Sequence, residues 1–279
     1  MRRISIQRLI LLAVLVPLFS ACGDSSQVEE WLATTTLEDV QLVDAAASVN
    51  MGFPMIIDEQ GEPHLAYLQS DHRGVLYANK SGSTWNRETV VQNGDFWNGL
   101  ALGLNASNES VVTYQRMITL WGYRVNLEIS ERVNGTWSAA TIDTNGWAGS
   151  QASIQVFPSG LIRLAYFAGY PYYDLRYAER IGEEWVTTTV DSVLDAGYYP
   201  ALASNVNGDP VILYNTLHVG LRQAVRNSGN WASQTLEPGT YTGSGLHLAT
   251  DSNSWFHILY ASDTSLMYGS ESQGSWHYE

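Results

Sequence analysis

Gly182-Glu183-Glu184-Trp185-Val186-Thr187-Thr188-Thr189-Val190 is the stretch on which the fold turns. A glycine turn runs into a tryptophan, and a short β-branched strand follows. The same unit returns at Gly82–Trp85, Gly135–Trp137, Gly229–Trp231 and Gly274–Trp276, and Glu30-Trp31 opens the series without the glycine. The six tryptophans lie 54, 52, 48, 46 and 45 residues apart. A near-constant period of about 50 residues is the mark of a repeat architecture.

Outward from the tryptophan, each unit reads as four strands. The first is small and apolar, as in Gly99–Leu104, Gln151–Val156, Pro200–Ser204 and Gly245–Ala249. A polar turn follows in most copies, as in Asp58–Gly61, Asn105–Asn108 and Asn205–Gly208. The second strand ends on a tyrosine in every copy: Tyr67, Tyr114, Tyr166, Tyr214 and Tyr260. The third contains Leu76-Tyr77-Ala78, Leu175–Ala178, Leu221–Ala224 or Leu266–Gly269, and is less regular near Val125–Ile129. The fourth begins at the tryptophan. Thr89, Thr141, Thr189 and Thr235 lie four residues after it, and Val90, Ile142, Val190 and Leu236 lie five after. Strand alternation puts tryptophan and threonine on one face and the apolar residue on the other, so both faces read as packing surfaces.

With no helical period between units, this pattern predicts an all-β chain: a β-propeller of four-stranded antiparallel blades, five repeats of which are visible. The repeats end near residues 91, 143, 191, 237 and 279. A linear β-solenoid competes, but its turns are usually shorter. Six fourth strands stand against five full units. Trp31–Leu37 suits a strand lent to the last blade, yet the last unit begins its own fourth strand at Trp276. Either five blades share a frayed closing strand, or the chain is a piece of a larger ring.

The succession Asp-x-x-Gly-x-Pro-His-Leu-Ala-Tyr (Asp58–Tyr67), Leu-x-Tyr-Ala and Gly-x-Trp resembles the secreted bacterial propeller repeats of the sialidase-like, BNR-like group over most of residues 31–279. The resemblance implies the fold. Of the sialidase Asp-box, Ser-x-Asp-x-Gly-x-x-Trp, the stretch Ser81–Trp85 keeps only a serine and the tryptophan.

Residues 1–21 read as a signal peptide. Arg2, Arg3 and Arg8 precede an apolar run, Leu9–Phe19, that is too short to span a bilayer. Leu18-Phe19-Ser20-Ala21-Cys22 resembles the lipobox of bacterial lipoproteins, with Phe19 at the place of the usual leucine. The resemblance implies that Cys22, the one cysteine of the chain, becomes the acylated (palmitate-bearing) N-terminus. Gly23 after it resembles the outer-membrane sorting pattern of Gram-negative lipoproteins. Residues 22–30 then form the lipidated cysteine and a short tether, about 28 Å at full extension. The expected location is the bacterial cell envelope, held to the outer membrane by the lipid.

The net charge of −14, with Lys80 the one lysine, repels nucleic acid and anionic lipid surfaces. A neutral glycan, a peptide or a cationic partner remains compatible with that charge, and the expected partner is a glycan or an envelope protein, bound by a monomer. The loops from strand four to the next strand one carry Phe53, Trp97, Trp147, Tyr198, Tyr199 and Tyr241. Those from strand two to strand three carry Asp71, His72, Arg73, Trp121, Tyr123, Tyr170, Tyr172, Tyr173, Asp174, His218 and Asp263. Both sets emerge on one face of a propeller. Aromatic faces suit the C–H side of sugar rings while polar groups take the hydroxyls. The ligand-binding candidates are therefore Trp97, Trp121, Tyr123, Trp147, Tyr172, Tyr173, Asp174, Tyr198, Tyr199 and Tyr241. Several of these aromatics also suit packing beneath long loops.

The alternative is a sialidase-like glycoside hydrolase or lyase. It needs two carboxyl groups about 5–9.5 Å apart, and Asp71, Asp95, Asp174, Asp191, Asp195 and Asp263 are available. Loop aspartates are commonly turn formers, so no catalytic residue is assigned and the reading leans away from an enzyme. No cofactor or metal motif is present: His64 and His257 hold the same repeat position, which points to a structural role, and Asp251–Ser254 lacks the run of ligands of a calcium loop. Mass spectrometry of the mature N-terminus checks the anchor; the expected result is an acylated Cys22 as the first residue.

Overall fold

The computed structural model describes residues 41–48, 52–119, 124–239, 245–262, 265–272 and 274–278. Cys22, Trp31–Leu37, Trp121, Tyr123, Tyr241 and Asp263 lie outside them.

Each repeat folds into one antiparallel sheet in chain order. The first is β1 (Met55–Ile57), β2 (Pro63–Leu68), β3 (Gly74–Ser81) and β4 (Thr84–Gln92). The second has an inner strand broken into β5 (Asp95–Phe96) and β6 (Ala101–Leu104), both paired to β7 (Ser110–Thr119), then β8 (Arg124–Val133) and β9 (Thr136–Asp143). The third is β10 (Ser150–Val156), β11 (Ile162–Ala168), β12 (Asp174–Ile181) and β13 (Glu184–Asp191). The fourth is β14 (Ala196–Ser204), β15 (Pro210–Thr216), β16 (Gly220–Asn227) and β17 (Asn230–Pro238). The fifth is β18 (Leu246–Thr250), β19 (Phe256–Ser262), β20 (Ser265–Ser272) and β21 (Ser275–Tyr278).

The Gly-x-Trp beat makes the outer hairpin. Asn134–Gly135 and Ser228–Gly229 both have positive φ, the sign pattern of a type I′ turn, which matches the twist of the flanking strands. The tryptophan lands opposite Lys80, Arg132, Arg180, Arg226 or Glu271 of the third strand.

Sheets stack face to face in sequence. The rear face of each offers its tryptophan and second-strand tyrosine to the sheet before it. Trp137 meets Tyr77 edge-on at 5.5 Å, Trp231 meets Tyr177 at 5.1 Å, and Trp185 packs on the cluster holding Ile129. The outer strand differs from the expectation of two packing faces: Thr89, Thr141, Thr189 and Thr235 are all exposed. Blades splay apart with distance from the axis, so a threonine is too short to bridge the gap that the tryptophan spans.

The end of the outer strand departs from strict alternation. Leu127 pairs with Asp143 but Glu128 with Thr141, which leaves Ile142 as a bulge; Val90, Val190 and Leu236 are skipped in the same way. A bulge puts two consecutive residues on one side of the strand. Ile142 joins the core between the second and third sheets, and Asp143 beside it accepts a 2.7 Å hydrogen bond from Tyr166 Oη in the third sheet. Asp191 accepts likewise from Tyr214 Oη, at 2.5 Å, and Glu237 from Tyr260 Oη. Asp44 accepts from Tyr67 Oη at 2.9 Å. All four pairs are 23 residues apart. Arg176 adds a 2.9 Å ion pair to Asp143, and Arg222 one of 3.3 Å to Asp191. Burial, reinforced by the carboxylate, pushes the Tyr166 and Tyr214 hydroxyls far above the ordinary tyrosine range, so each stays a donor. Tyr114 has Val91 at the matching position and bonds Ser130 Oγ instead, at 2.9 Å.

A second belt lies nearer the opposite face. Arg132 reaches back to Glu88, Arg180 to Glu131 and Arg226 to Glu179.

Among the described residues, the fifth sheet has an exposed face. Leu266 is 71% exposed, whereas its counterparts Val75, Leu127 and Leu175 are fully buried and Leu221 nearly so. Tyr268 is likewise exposed where Tyr77 and Tyr177 are buried, and Met55 and Ile57 are exposed on the rear of the first sheet. Five sheets are present among the described residues, and the further outer strand read at Trp31–Leu37 lies outside them.

Truncating a buried ion-pair partner strands the other charge at a cost of about 3–5 kcal/mol, while losing a neutral donor's acceptor costs about 1–3 kcal/mol. Asp143→Ala is therefore expected to destabilise the protein more than Glu237→Ala, because Met267 stands in the fifth sheet where Arg176 stands in the third. Urea unfolding midpoints of the two variants check the order.

Candidate functional site

The inner strands are irregular at one repeat position. The second sheet's is interrupted between β5 and β6, and the registers of β10 and β14 shift at Ser150/Ser153 and Tyr198/Ala201. Among the residues left unpaired there, Gly99, Gln151 and Tyr199 have positive φ (77°, 53° and 49°), as does Gly245 (112°) just before β18. Glycine takes this conformation without strain; a glutamine and a tyrosine held there carry a backbone cost of about 1–3 kcal/mol each, a feature that collects at functional sites.

Those four positions, with Gly52 of the first sheet, ring the mouth of the axis. The cavity they surround has a volume of about 630 Å³ and draws lining residues from all five sheets. Phe53, Trp97 and Tyr199 supply aromatic surface; Asn98, Gln151 and His247 supply hydrogen-bonding groups. The described lining contains no Asp, Glu, Lys or Arg. Phe53 and Trp97 are about half exposed.

The supports of this mouth are side-chain amides. Gln115, almost fully buried, receives the Trp97 N–H on its carbonyl at 3.3 Å and donates its own N–H to the Asn98 carbonyl at 2.8 Å. Its side-chain Nε2 donates to the Ala148 carbonyl at 2.8 Å, so one residue fixes the loops of two blades. Gln151 Oε1 accepts the Tyr199 N–H at 2.8 Å and couples the third blade to the fourth.

Trp147, Tyr172, Tyr173 and Tyr198 gather elsewhere, on the same face but out over the third and fourth blades. Phe167 stacks on Tyr198 at 4.4 Å and meets Tyr173 at 6.3 Å; Trp147 meets Tyr170 at 6.4 Å. Tyr172 lies under the Arg176 guanidinium at 4.8 Å. Asp174 is buried at the start of β12 instead of standing on the loop, and burial raises its carboxyl above the usual range. Of the other aspartates, Asp191 is committed to Tyr214, Asp95 pairs with Arg73 at 2.8 Å, and Asp71 accepts the Arg73 N–H of its own turn. Thus Trp97 and Tyr199 share the axial mouth, while four other candidates form a rim cluster. Asn98, Gln151 and His247 escape the sequence reading, although aligning the repeats puts Gln151 and Tyr199 where Gly99 and Gly245 stand.

The two repeat-equivalent histidines are internal struts. His64 Nε2 lies 3.3 Å from Asp58 Oδ2, with Tyr77 Oη on its Nδ1; His257 lies 3.5 Å from Asp251 Oδ2 and 2.7 Å from Tyr268 Oη. Asp58 Oδ1 accepts the N–H groups of Gln60 and Glu62, and Asp251 Oδ1 those of Asn253 and Trp255, so both loops close on themselves. Among the described residues no three His, Cys, Asp or Glu side chains gather to hold a metal ion.

With this geometry the chain resembles solved β-propellers. The NanB sialidase of Streptococcus pneumoniae superposes with a TM-score of 0.62 at 9% identity, over 90% of this chain and 64% of that one. The SapL1 lectin, solved with α-methyl fucoside, gives 0.57 at 11% identity over 84% and 81%. The Aleuria aurantia lectin, described as a six-bladed β-propeller with a novel fucose recognition mode, gives 0.51 at 13% identity over 81% and 75%. No protein-family model and no curated protein sequence matches the chain. The class is thus that of the β-propellers, of the fold shared by these lectins and the sialidase; at such identities the likeness is one of fold.

Hydrogen bonds from its own turn, first of all from the Glu62 N–H, hold the Asp58 carboxyl at about 2, below its ordinary value of 3.8. Its stabilisation is therefore complete above pH 4 and lost as pH falls toward 2. Asn105 and Asn205 serve the same turn without a charge. Asp58→Asn is thus expected to fold and to lose less stability than the wild type between pH 4 and 2, as read by thermal unfolding at stepped pH.

Proposed function

We propose that this protein is an envelope-anchored carbohydrate-binding propeller, tethered through an acylated Cys22, whose axial mouth receives a neutral glycan. The observation that carries the reading is the mouth itself: about 630 Å³, fed by all five blades, with Phe53, Trp97 and Tyr199 beside Asn98, Gln151 and His247. Ligand sites of 300–1,000 Å³ with apolar walls and a few placed polar groups are the norm. A sugar presents C–H faces to the rings and hydroxyls to the amides. The chain's charge of −14 disfavours polyanionic glycans. The lectins of the same fold support sugar binding as a use of this architecture.

Hydrolysis on the NanB pattern is the second reading. Two carboxyl groups flanking a glycosidic bond would have to face the ligand, and the described lining of the mouth offers neither.

A glycan array probed with soluble residues 23–279 tests the proposal. The expected result is retention of neutral, including fucosylated, glycans, with a Trp97→Ala variant about tenfold weaker, equivalent to ~1.4 kcal/mol. Release of free sugar from a sialoside would move the protein to the hydrolase reading. Failure to bind any glycan, with capture of one envelope protein, would replace both.

A further inference from the structure

On the opposite face, between the fourth and fifth blades, lies a groove of about 480 Å³. Its origin is a change at three repeat positions. Where Tyr77 and Tyr177 fill the space before the next blade's tryptophan, the fourth blade has Gln223. Where Glu131 and Glu179 receive an arginine, it has Val225. Where Arg132, Arg180 and Arg226 stand opposite the tryptophan, the fifth blade has Glu271, opposite Trp276.

The carboxylate is thus on the other side of the interface, and the cation is missing. Glu271 accepts the Gly274 N–H but has no ion-pair partner among the described residues, and no Lys or Arg lines the groove. Trp276 and the 40%-exposed Trp255 form its apolar walls. Gln234 Nε2 donates to Gln223 Oε1 at 2.9 Å, which fixes an amide pair on the floor. The neighbouring interface shows what such a place accepts: the Arg226 guanidinium sits 2.8 Å from Glu179 and 5.7 Å over the Tyr177 ring.

We infer that this groove binds a guanidinium group brought by a partner, an arginine side chain of a polypeptide, which restores between the fourth and fifth blades the ion pair that the chain itself supplies elsewhere. A planar cation satisfies the Glu271 carboxylate bidentately while its faces lie on indole, a combination an ammonium or a neutral sugar matches less well. The net charge of −14 draws such a partner in. This site is independent of the glycan reading of the axial mouth.

Calorimetric titration of the full chain with N-acetyl-arginine amide, and with its uncharged citrulline counterpart, tests the inference. Saturable binding of the arginine compound is expected, with citrulline at least about tenfold weaker. Glu271→Gln and Trp255→Ala should each weaken arginine binding by about tenfold. A Val225→Glu/Glu271→Arg variant, which builds the internal pair of the other interfaces, should abolish it. Equal binding of citrulline, undiminished affinity in Glu271→Gln, or no saturable binding by the wild type would overturn the assignment.

Discussion

A tyrosine hydroxyl bonded to a carboxylate of the preceding blade is the contact on which the stack depends. Hydrophobic burial brings the sheets together, but it is non-directional; two apolar sheet faces tolerate sliding. The Tyr166–Asp143 and Tyr214–Asp191 bonds, each with an arginine added, do not slide, because both partners are buried and neither can exchange for water without cost. The bulge beside each carboxylate makes the contact possible. Without it Asp143 would share the rear face with Trp137, turned away from Tyr166.

The loop face above the third and fourth blades is tied to these latches. Arg176 holds Asp143 below and carries Tyr172 above, so the rim cluster rests on a buried ion pair. At the axis, Gln115 and Gln151 do the same work with amides. These hydrogen bonds join loops of neighbouring blades and hold the aromatic side chains on them in place.

Repetition also makes departures informative. Tyr199 and Gln151 stand where glycine is the unstrained choice. Val225 and Glu271 stand where an acid and an arginine pair in other interfaces. At Val225 and Glu271 the exception removes an internal ion pair, whereas Gln151 adds a link between blades by accepting the Tyr199 N–H.

The sequence by itself determined the blade. A tryptophan every 45–54 residues, a tyrosine closing each second strand and glycine at each outer turn are local signals, and local signals survive in a linear reading. It also held the latch in plain view, as an acid six residues after Trp137, Trp185 and Trp231, but period-two alternation assigns that acid to the wrong face. Only the tertiary structure decided where the aromatics go. Trp97 and Tyr199 line the axial mouth while Trp147 and Tyr198, from the same class of loop, join Tyr172 and Tyr173 at the rim, because the register of the inner strand sets which side chain points inward. The groove beside Glu271 has the same kind of origin: it is a property of one blade's surface against another's, set by side chains about 50 residues apart that no single stretch of sequence contains.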